Sequence, residues 1–240
     1  MKGLRLYAVV FIMISVSLLF SCMGNSGKNK PSGDSLAVSE KSIRIDGHRF
    51  VDLGLPSGLL WAETNIGAAS EADAGEYFSW GETKAKADYA WTSYAFGNGE
   101  DNLTKYKNAG GKDVLDFSDD AAYINWGKSC RMPTQAEFVE LRDSSNCTWT
   151  WTSRTVSDGS SVYGYLVTSK SNGNSIFFPS VGCRDGEKLI YYGSRGYYWS
   201  STLNALYDFY ACYLCLERDC VYSGHDSRYY GLPVRPVAVK

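Results

Sequence analysis

Tyrosine is the residue that most constrains the fold of this chain. The 240 residues contain 18 tyrosines, and ten of them lie between Tyr191 and Tyr230. Tyrosine favours β-strands, because its ring packs well on a pleated, half-buried surface. Valine, tyrosine and threonine are also abundant from Val162 to Thr168. The distribution therefore predicts a β-rich fold in which the tail from Tyr197 to Val239 is strand and loop.

Two hairpins are indicated by their turn residues. Asp46-Gly47 separates the short segments 42–45 and 48–51, and an Asp-Gly pair supplies the positive φ angles that a type I′ turn needs. The Ser-Asn-Gly-Asn sequence at 171–174 separates the strand from Val162 to Thr168 from a returning strand at 175–179. Both patterns predict antiparallel pairs joined by tight turns.

Two helices are predicted by their capping residues. We expect the first to begin at Ser118, with Asp119 and Asp120 at its positive end, and to stop near Gly127. The second is expected to begin at Thr134, because Thr134 and Glu137 have the spacing of a capping box. With the strands, this predicts an α+β fold that is β-rich, with two helices and long loops.

The N-terminal segment resembles a secretory signal that ends in a lipid-attachment cysteine. Lys2 and Arg5 precede a run of 14 uncharged residues, 7–20, which is short for a membrane span. Cys22 follows this run directly after a small residue, as in a bacterial lipobox. A plain secretory signal with a chance cysteine is the alternative. We therefore divide the chain into a signal peptide at 1–21, a flexible tether at 22–41 and a folded domain at 42–240.

Charge and histidine content exclude several classes of function. Without Lys2 and Arg5, the chain carries 22 basic and 26 acidic side chains, a formal charge of −4. Such a chain lacks the basic excess that neutralises phosphates, so no nucleic-acid partner is expected. The two histidines, His48 and His225, are too few for a histidine-rich metal cage. No metal, cofactor or catalytic residue is predicted.

The cysteines admit two interpretations. Export permits disulfides, and six cysteines follow Cys22, which would allow fifteen pairings. However, Cys212, Cys215 and Cys220 crowd into nine residues, and a domain of this size does not need covalent staples. Cys212 and Cys215 could form a redox or metal motif, but the sequence around them favours a strand rather than the start of a helix. We expect free thiols.

Six segments carry a resemblance to a known family. They are VDLGLPSGLLWAETNIGA (51–68), YFSWGE (77–82), WGKSCRMPTQAEFVEL (126–141), NCTWTWT (146–152), GYYWSST (196–202) and YYGLPVRPV (229–237). In this order they resemble the Fibrobacter succinogenes major paralogous domain, found in secreted proteins of Bacteroides-like bacteria. The resemblance covers nearly all of residues 42–238 and implies a C-type-lectin-like fold related to formylglycine-generating enzymes. Cys130 and Cys183 depart from it, since they stand where aromatic residues are expected.

Some proteins of this fold group are targets of diversity-generating retroelements, which rewrite adenines in a C-terminal repeat. Randomised Asn-type codons never encode Lys, Glu, Gln, Trp or Met. These five types supply 30 of the 180 residues at 22–201 but only Glu217 among the 35 residues at 202–236, where about six would be expected. The depletion favours a diversified segment. A tyrosine-rich strand that lacks lysine by composition alone is the other explanation.

Strand geometry predicts which residues of this segment face a ligand. Side chains alternate between faces from Ala211 to Glu217. We expect Leu214 and Leu216, with Cys212, to face the core, and Tyr213 and Cys215 to face outward. The predicted ligand-binding set is Tyr207, Asp208, Phe209, Tyr210, Tyr213, Cys215, Arg218, Asp219, Tyr222, Ser223, His225, Asp226, Ser227, Tyr229 and Tyr230. Tyrosine among small polar residues is also the composition of antibody paratopes.

These observations predict a membrane-anchored lipoprotein of the outer membrane or cell surface whose C-type-lectin-like domain binds an extracellular protein or glycan. The leaflet stays open. Lipoproteins sent to the outer face in bacteria of the kind this chain resembles often carry acidic residues just after the cysteine, whereas Cys22 is followed by Met-Gly-Asn-Ser-Gly-Lys. Two other functions also stay open. One is an oxidase like the formylglycine-generating enzymes, which use a cysteine pair. The other is a structural envelope or fimbrial component without a discrete ligand.

Overall fold

The structure is a computed structural model that describes residues 43–107 and 112–240. These residues belong to one compact unit, Glu40–Lys240. They form thirteen β-strands and two α-helices, so the fold is β-rich and of the α+β class. In the part of the chain described, no helix is long and apolar enough to cross a membrane. The signal peptide at 1–21, the tether at 22–41 with Cys22, and Ser42 lie outside the described residues.

The first sheet brings together strands from both ends of the described residues. In spatial order they are β1 (Ile43–Ile45), β2 (His48–Asp52), β3 (Leu60–Ala62), β13 (Val237–Ala238) and β4 (Cys130–Arg131). The predicted β1–β2 hairpin is confirmed, because Ile45 pairs with His48. Asp46 and Gly47 adopt φ angles of 49° and 86°, the left-handed conformations of a type I′ turn.

The two helices are short, and their caps explain where each begins. They are α1 (Ala121–Trp126) and α2 (Gln135–Arg142). The predicted start of α2 is confirmed, since Thr134 and Glu137 form a reciprocal capping box. The predicted start of α1 at Ser118 is wrong. Phe117–Asp119 form a separate 3-10 turn, and the carboxylate of Asp120 caps α1 by accepting the N–H groups of the second and third helical residues.

A three-stranded sheet contains the second predicted hairpin. Its strands are β5 (Cys147–Thr155), β6 (Ser161–Ser169) and β7 (Ser175–Pro179). Thr168 pairs with Ser175 across the 171–174 turn, so this hairpin is confirmed as well. The sheet packs its apolar side chains, among them Phe178 and Val167, into a core that also contains residues of α2.

The third sheet carries most of the tyrosine-rich segment. In spatial order its strands are β12 (Cys220–Ser227), β11 (Tyr210–Glu217), β10 (Arg195–Leu203), β8 (Val181–Asp185) and β9 (Lys188–Tyr192). Strands β10 and β8 run parallel, while the other neighbours are antiparallel. The predicted strand from Ala211 to Glu217 is thus confirmed to within one residue, and β12 lies at the edge of the sheet.

Both faces of strand β11, next to the edge strand β12, are covered. Leu214 and Leu216 face one apolar cluster, with Phe138 and Leu141 of α2. Tyr213 and Cys215 face another, with Trp80 and Trp199 among its members. The predicted alternation of β11 is therefore present, but the prediction that Tyr213 and Cys215 face solvent is wrong. Their exposed fractions are 8% and 0%, because the sheet is packed between two cores rather than on one.

Candidate ligand-binding cleft

The floor of a cleft is built by side chains in register across the third sheet. Cys183 of β8 pairs with Ile190 of β9, and Cys215 of β11 pairs with both Tyr197 of β10 and Tyr222 of β12. Gly196 pairs with Gly182, so the next residues, Tyr197 and Cys183, lie side by side on the parallel strands. The five strands thus place a row of apolar and aromatic groups across one face of the sheet.

Above this row lies a cleft with a volume of about 340 Å³. Small-molecule sites in proteins begin at about this size. Five tyrosines line it: Tyr191, Tyr197, Tyr213, Tyr222 and Tyr230. Three charged residues, Asp185, Arg195 and Asp226, complete the polar part of the lining. We call this site the tyrosine cleft.

The ring of Tyr213 reaches its position because its cross-strand partner is a glycine. Tyr213 pairs directly with Gly224. A Cβ atom at residue 224 would lie only 2.6 to 2.8 Å from three atoms of the tyrosine ring and hydroxyl. The ring therefore lies over the glycine and also meets Tyr197 edge-on, with their centroids 5.4 Å apart. A side chain at residue 224 would displace this wall of the cleft.

The charges of the cleft are separated along the strands. Strands β8, β10 and β12 run in the same direction, and the floor row contains Cys183, Tyr197 and Tyr222. Arg195 precedes the row on β10, whereas Asp185 and Asp226 follow it on β8 and β12. One end of the cleft is therefore basic and the other acidic.

The basic end is already neutralised by the protein. Arg195 Nε lies 3.3 Å from a carboxylate oxygen of Glu217, and its guanidinium stands 4.9 Å from the ring centroid of Tyr191. At the acidic end, neither Asp185 nor Asp226 has a basic side chain within 4 Å among the residues described. Lys188 is the cross-strand partner of Asp185 on β9, but its side chain is exposed and forms no such pair. The acidic end of the cleft thus carries two carboxylates that no basic side chain contacts among the described residues.

Burial sets the protonation of the cleft. It raises the pKa of Tyr197 to about 12 and that of Tyr213 further, so both hydroxyls stay neutral near pH 7. Burial also raises the pKa of Asp226, and the charge of Asp185 adds to this, whereas the Ser227 N–H and His225 oppose it. An ionised Asp226 is therefore costly unless a cation approaches it.

Only part of the predicted binding set meets in the tyrosine cleft. Four members line it: Tyr213, Tyr222, Asp226 and Tyr230. Tyr229 stacks on Tyr230, with ring centroids 4.6 Å apart, and lies just outside. Cys215 and Ser227 are buried, so the prediction that they present side chains to a ligand is wrong.

The remaining predicted residues lie elsewhere on β11, β12 and their connections. Tyr207, Phe209, Tyr210 and His225 form a chain of ring contacts with centroids 4.4 to 6.1 Å apart. Asp208 belongs to the same loop, where its carbonyl accepts a hydrogen bond from buried Arg228. Arg218 and Asp219 form the exposed β11–β12 turn. Ser223 accepts a hydrogen bond of 2.6 Å from Arg142 of α2, on the opposite face of the sheet.

Sequence reasoning missed seven of the residues that line the cleft, and four of these seven are charged or aromatic. These four are Asp185, Tyr191, Arg195 and Tyr197. All four precede residue 202, where the depleted segment begins, so the compositional argument did not include them. The tyrosine count that starts at Tyr191 was the available signal. It could not show that β8, β9 and β10 lie beside β11, since that neighbourhood depends on long-range pairing.

The thiols of the cleft floor are buried and protonated. Burial raises the pKa of Cys183 to about 12 and that of Cys215 to about 11. Strand β10 separates them, so their backbones are about two strand spacings, or roughly 10 Å, apart. A disulfide needs Cα atoms within about 7 Å. All six cysteines of the described residues are free, and no group of three His, Cys, Asp or Glu side chains in these residues could hold a metal ion.

Comparison with known proteins gives one family match. Residues 139–237 match the model of a domain of unknown function, DUF8237. The matched region contains every residue of the tyrosine cleft and the whole third sheet. No curated protein and no solved structure matches the chain.

Proposed function

We propose that this protein is a membrane-anchored lipoprotein whose folded domain binds an extracellular protein or glycan through the tyrosine cleft. One observation carries the proposal. Five tyrosine rings and three charged groups converge on one concave site of about 340 Å³. Tyrosine rings supply amphipathic contact area at low entropic cost, and binding energy concentrates on such rings when they enter a partner's surface.

The test of the cleft uses one exposed tyrosine inside it and one outside. The full-length chain in a non-ionic detergent is screened against bacterial and host surface proteins and glycans. Tyr222→Ala should weaken binding of the ligand identified in this screen about 30-fold, since a tyrosine anchor that the partner buries contributes about 2 kcal/mol. Tyr163→Ala is the matched control, because Tyr163 is 53% exposed and lies on β6. If both variants lose affinity equally, or if neither variant loses affinity, the ligand binds elsewhere.

The lipid anchor belongs to the proposal and has its own test. Cys22 lies outside the described residues, so the proposal rests on its place behind the apolar run at 7–20. Cys22→Ser should move the protein from the membrane fraction to the soluble fraction, because one thioether-linked anchor is then lost. A Cys22→Ser variant that still sediments with membranes would rule out the anchor.

A C-type-lectin-like fold and diversification of residues 202–236 complete the proposal. The β-rich α+β architecture with two helices supports the fold, and the depletion of five residue types supports diversification. Several exposed positions of the segment, such as Tyr207, Arg218 and His225, are free to vary without touching a core. A near-copy of these codons, with adenines at the divergent sites and beside a reverse transcriptase gene, is the expected observation in the neighbouring DNA.

The second candidate, an oxidase that uses paired thiols, is favoured less by the geometry. Cys212 and Cys215 point to opposite faces of β11, and β10 separates Cys215 from Cys183. Raised thiol pKa values also lower the thiolate fraction that such chemistry needs. Copper retained with thiol-dependent oxidase activity would reverse this preference.

A further inference from the structure

The tyrosine cleft has the chemistry of a cation site. Its walls are tyrosine rings, whose π faces carry partial negative charge and attract cations within about 6 Å of the centroid. The acidic end adds two carboxylates, Asp185 and Asp226, that lie on strands on either side of β10. A neutral sugar would find stacking surfaces here, but it would leave both carboxylates without an ion pair.

Arg195, the basic residue of the cleft lining, does not neutralise these carboxylates. Arg195 pairs with Glu217 and stacks on Tyr191, at the opposite end of the row. Asp226 is partly desolvated, so a cation that enters the cleft gains more from it than from an exposed carboxylate in water. The geometry thus leaves a negative, aromatic-walled recess for a group supplied from outside.

An aromatic ridge beside the cleft indicates what kind of molecule carries that group. Trp91 packs on Tyr229 with ring centroids 5.1 Å apart, and Tyr229 stacks on Tyr230 at the cleft wall. Beside the ridge lies a second, shallower hollow of about 550 Å³, whose lining includes Trp91, Tyr229, Glu187 and Lys188. Asp185 lines both hollows. A chain that crosses the ridge would therefore place residues in both hollows, which suits an extended polypeptide.

We propose that the tyrosine cleft binds the cationic side chain of a lysine or arginine on a protein ligand, with Asp185 and Asp226 as its counter-charges and the tyrosine rings as its walls. This inference rests on the proposed function and specifies its ligand class as a basic protein segment. The neighbouring residues of that segment lie across the ridge of Trp91 and Tyr229.

The direct test compares two blocked amino acids that differ in charge. The probes are N-acetyl-lysine methylamide and the uncharged N-acetyl-norleucine methylamide, measured by NMR titration against the full-length chain in detergent. We expect saturable binding of the lysine probe, at least tenfold weaker binding of the norleucine probe, and weaker lysine binding as salt is raised. Equal affinity for both probes, or no saturable signal from the lysine probe, overturns the inference.

Variants of the carboxylates locate the site. Asp226→Asn and Asp185→Asn should each weaken binding of the lysine probe at least fivefold, while Asp113→Asn, at an exposed position outside the cleft lining, should leave it unchanged. Thermal unfolding of each variant verifies that the domain stays folded. Wild-type affinity in both cleft variants overturns the inference.

A screened ligand separates this inference from the proposed function. A ligand that is weakened by both Tyr222→Ala and Asp226→Asn supports both proposals. A neutral glycan that is weakened by Tyr222→Ala but unaffected by Asp226→Asn keeps the proposed function and overturns the cationic ligand class. A ligand that neither substitution affects overturns the assignment of the tyrosine cleft itself.

Discussion

Tyr213 and Gly224 show how a single glycine shapes the candidate site. The two residues pair directly across β11 and β12, and the tyrosine ring covers the space that a Cβ atom would take. The ring is thereby held against Tyr197, as a wall of the tyrosine cleft. Its 8% exposure makes Tyr213 a core residue and a cleft residue at once.

Gly224→Ala should disturb this wall. The added methyl group clashes with the Tyr213 ring, and we expect a loss of about 1–3 kcal/mol in the free energy of unfolding. Gly99→Ala is the control, since a Cβ atom at Gly99 meets nothing within 4 Å, and its effect should stay within about 0.5 kcal/mol. Urea denaturation of both variants gives the comparison. Indistinguishable stabilities would mean that the ring relocates without cost.

Tyr213 and Tyr222 should respond differently to truncation although both line the cleft. Tyr213→Ala removes a ring packed against Tyr197 and Trp199, so a cost of about 3–5 kcal/mol is expected. Tyr222 is 36% exposed, and Tyr222→Ala should cost about 1 kcal/mol or less. Thermal unfolding measures both. A larger loss in Tyr222→Ala than in Tyr213→Ala would contradict the observed packing.

The helix α2 is anchored by one carboxylate that performs two functions. Glu137 accepts the backbone N–H of Thr134 at 2.8 Å and closes the capping box. It also forms a two-pronged ion pair with Arg131, at 2.8 and 2.5 Å. Since α2 covers the Leu214 face of the third sheet, this carboxylate helps to hold the sheet that carries the cleft.

The contacts of Glu137 predict that the free energy of unfolding depends on pH. Burial alone would raise its pKa, but the hydrogen bonds from Arg131 and Thr134 outweigh burial and hold the pKa below the ordinary value of 4.5. A carboxyl with a depressed folded pKa stabilises the native state fully above the unfolded pKa, and this contribution is lost as the pH falls through the folded pKa. Glu137→Gln should therefore destabilise the protein by about 1–3 kcal/mol at pH 7 and progressively less below pH 4.5.

The control for this titration is Glu187→Gln, an exposed glutamate without an ion pair among the described residues. Its effect should be small at every pH. The measurement is the urea unfolding midpoint of the two variants and the wild type at each pH from 3 to 7. A Glu137→Gln penalty that stays constant down to pH 3 would show that the carboxylate's charge is not the stabilising feature.

At the scale of the whole molecule, two buried arginines join segments that are far apart in the sequence. Arg235 is completely buried and donates to Asn65 Oδ1 and to the carbonyls of Ala62, Glu63 and Phe177, which belong to different sheets or their connections. Arg228 donates in the same way to the Tyr94 hydroxyl and to the carbonyl of Lys105. In both cases the guanidinium satisfies carbonyls that would otherwise be buried without partners.

Arg235→Lys should be strongly destabilising although the charge is kept. A lysine ammonium cannot reproduce the planar fork of donors, so at least two buried acceptors lose their partners. We expect a loss of about 3 kcal/mol or more, whereas Arg218→Lys in the exposed turn should be neutral within about 0.5 kcal/mol. Equal urea midpoints for Arg235→Lys and the wild type would show that the fork is dispensable.

The local elements were predictable from the sequence because their determinants are local. Asp46-Gly47 adopts positive φ angles in any hairpin, and Thr134 and Glu137 close a capping box with only three residues between them. The cap of α1 was misplaced by two residues, at Ser118 instead of Asp120, because Ser118, Asp119 and Asp120 are all good caps. Only the folded chain shows that Asp120 also binds the N–H of Met132.

The tyrosine cleft depends on information that no local pattern contains. The alternation of side chains along β11 was predicted correctly. Whether the face with Tyr213 and Cys215 meets water, however, depends on which segments pack over it. That packing involves residues as far apart as Trp80 and Tyr213. Likewise, Asp185, Arg195 and Asp226 share one site because β8 pairs in parallel with β10 and β12 follows β11. The sequence by itself thus determined the hairpins, the capping box of α2 and the β-rich class. The long-range pairing of strands decided which tyrosines line the cleft and which carboxylates face it.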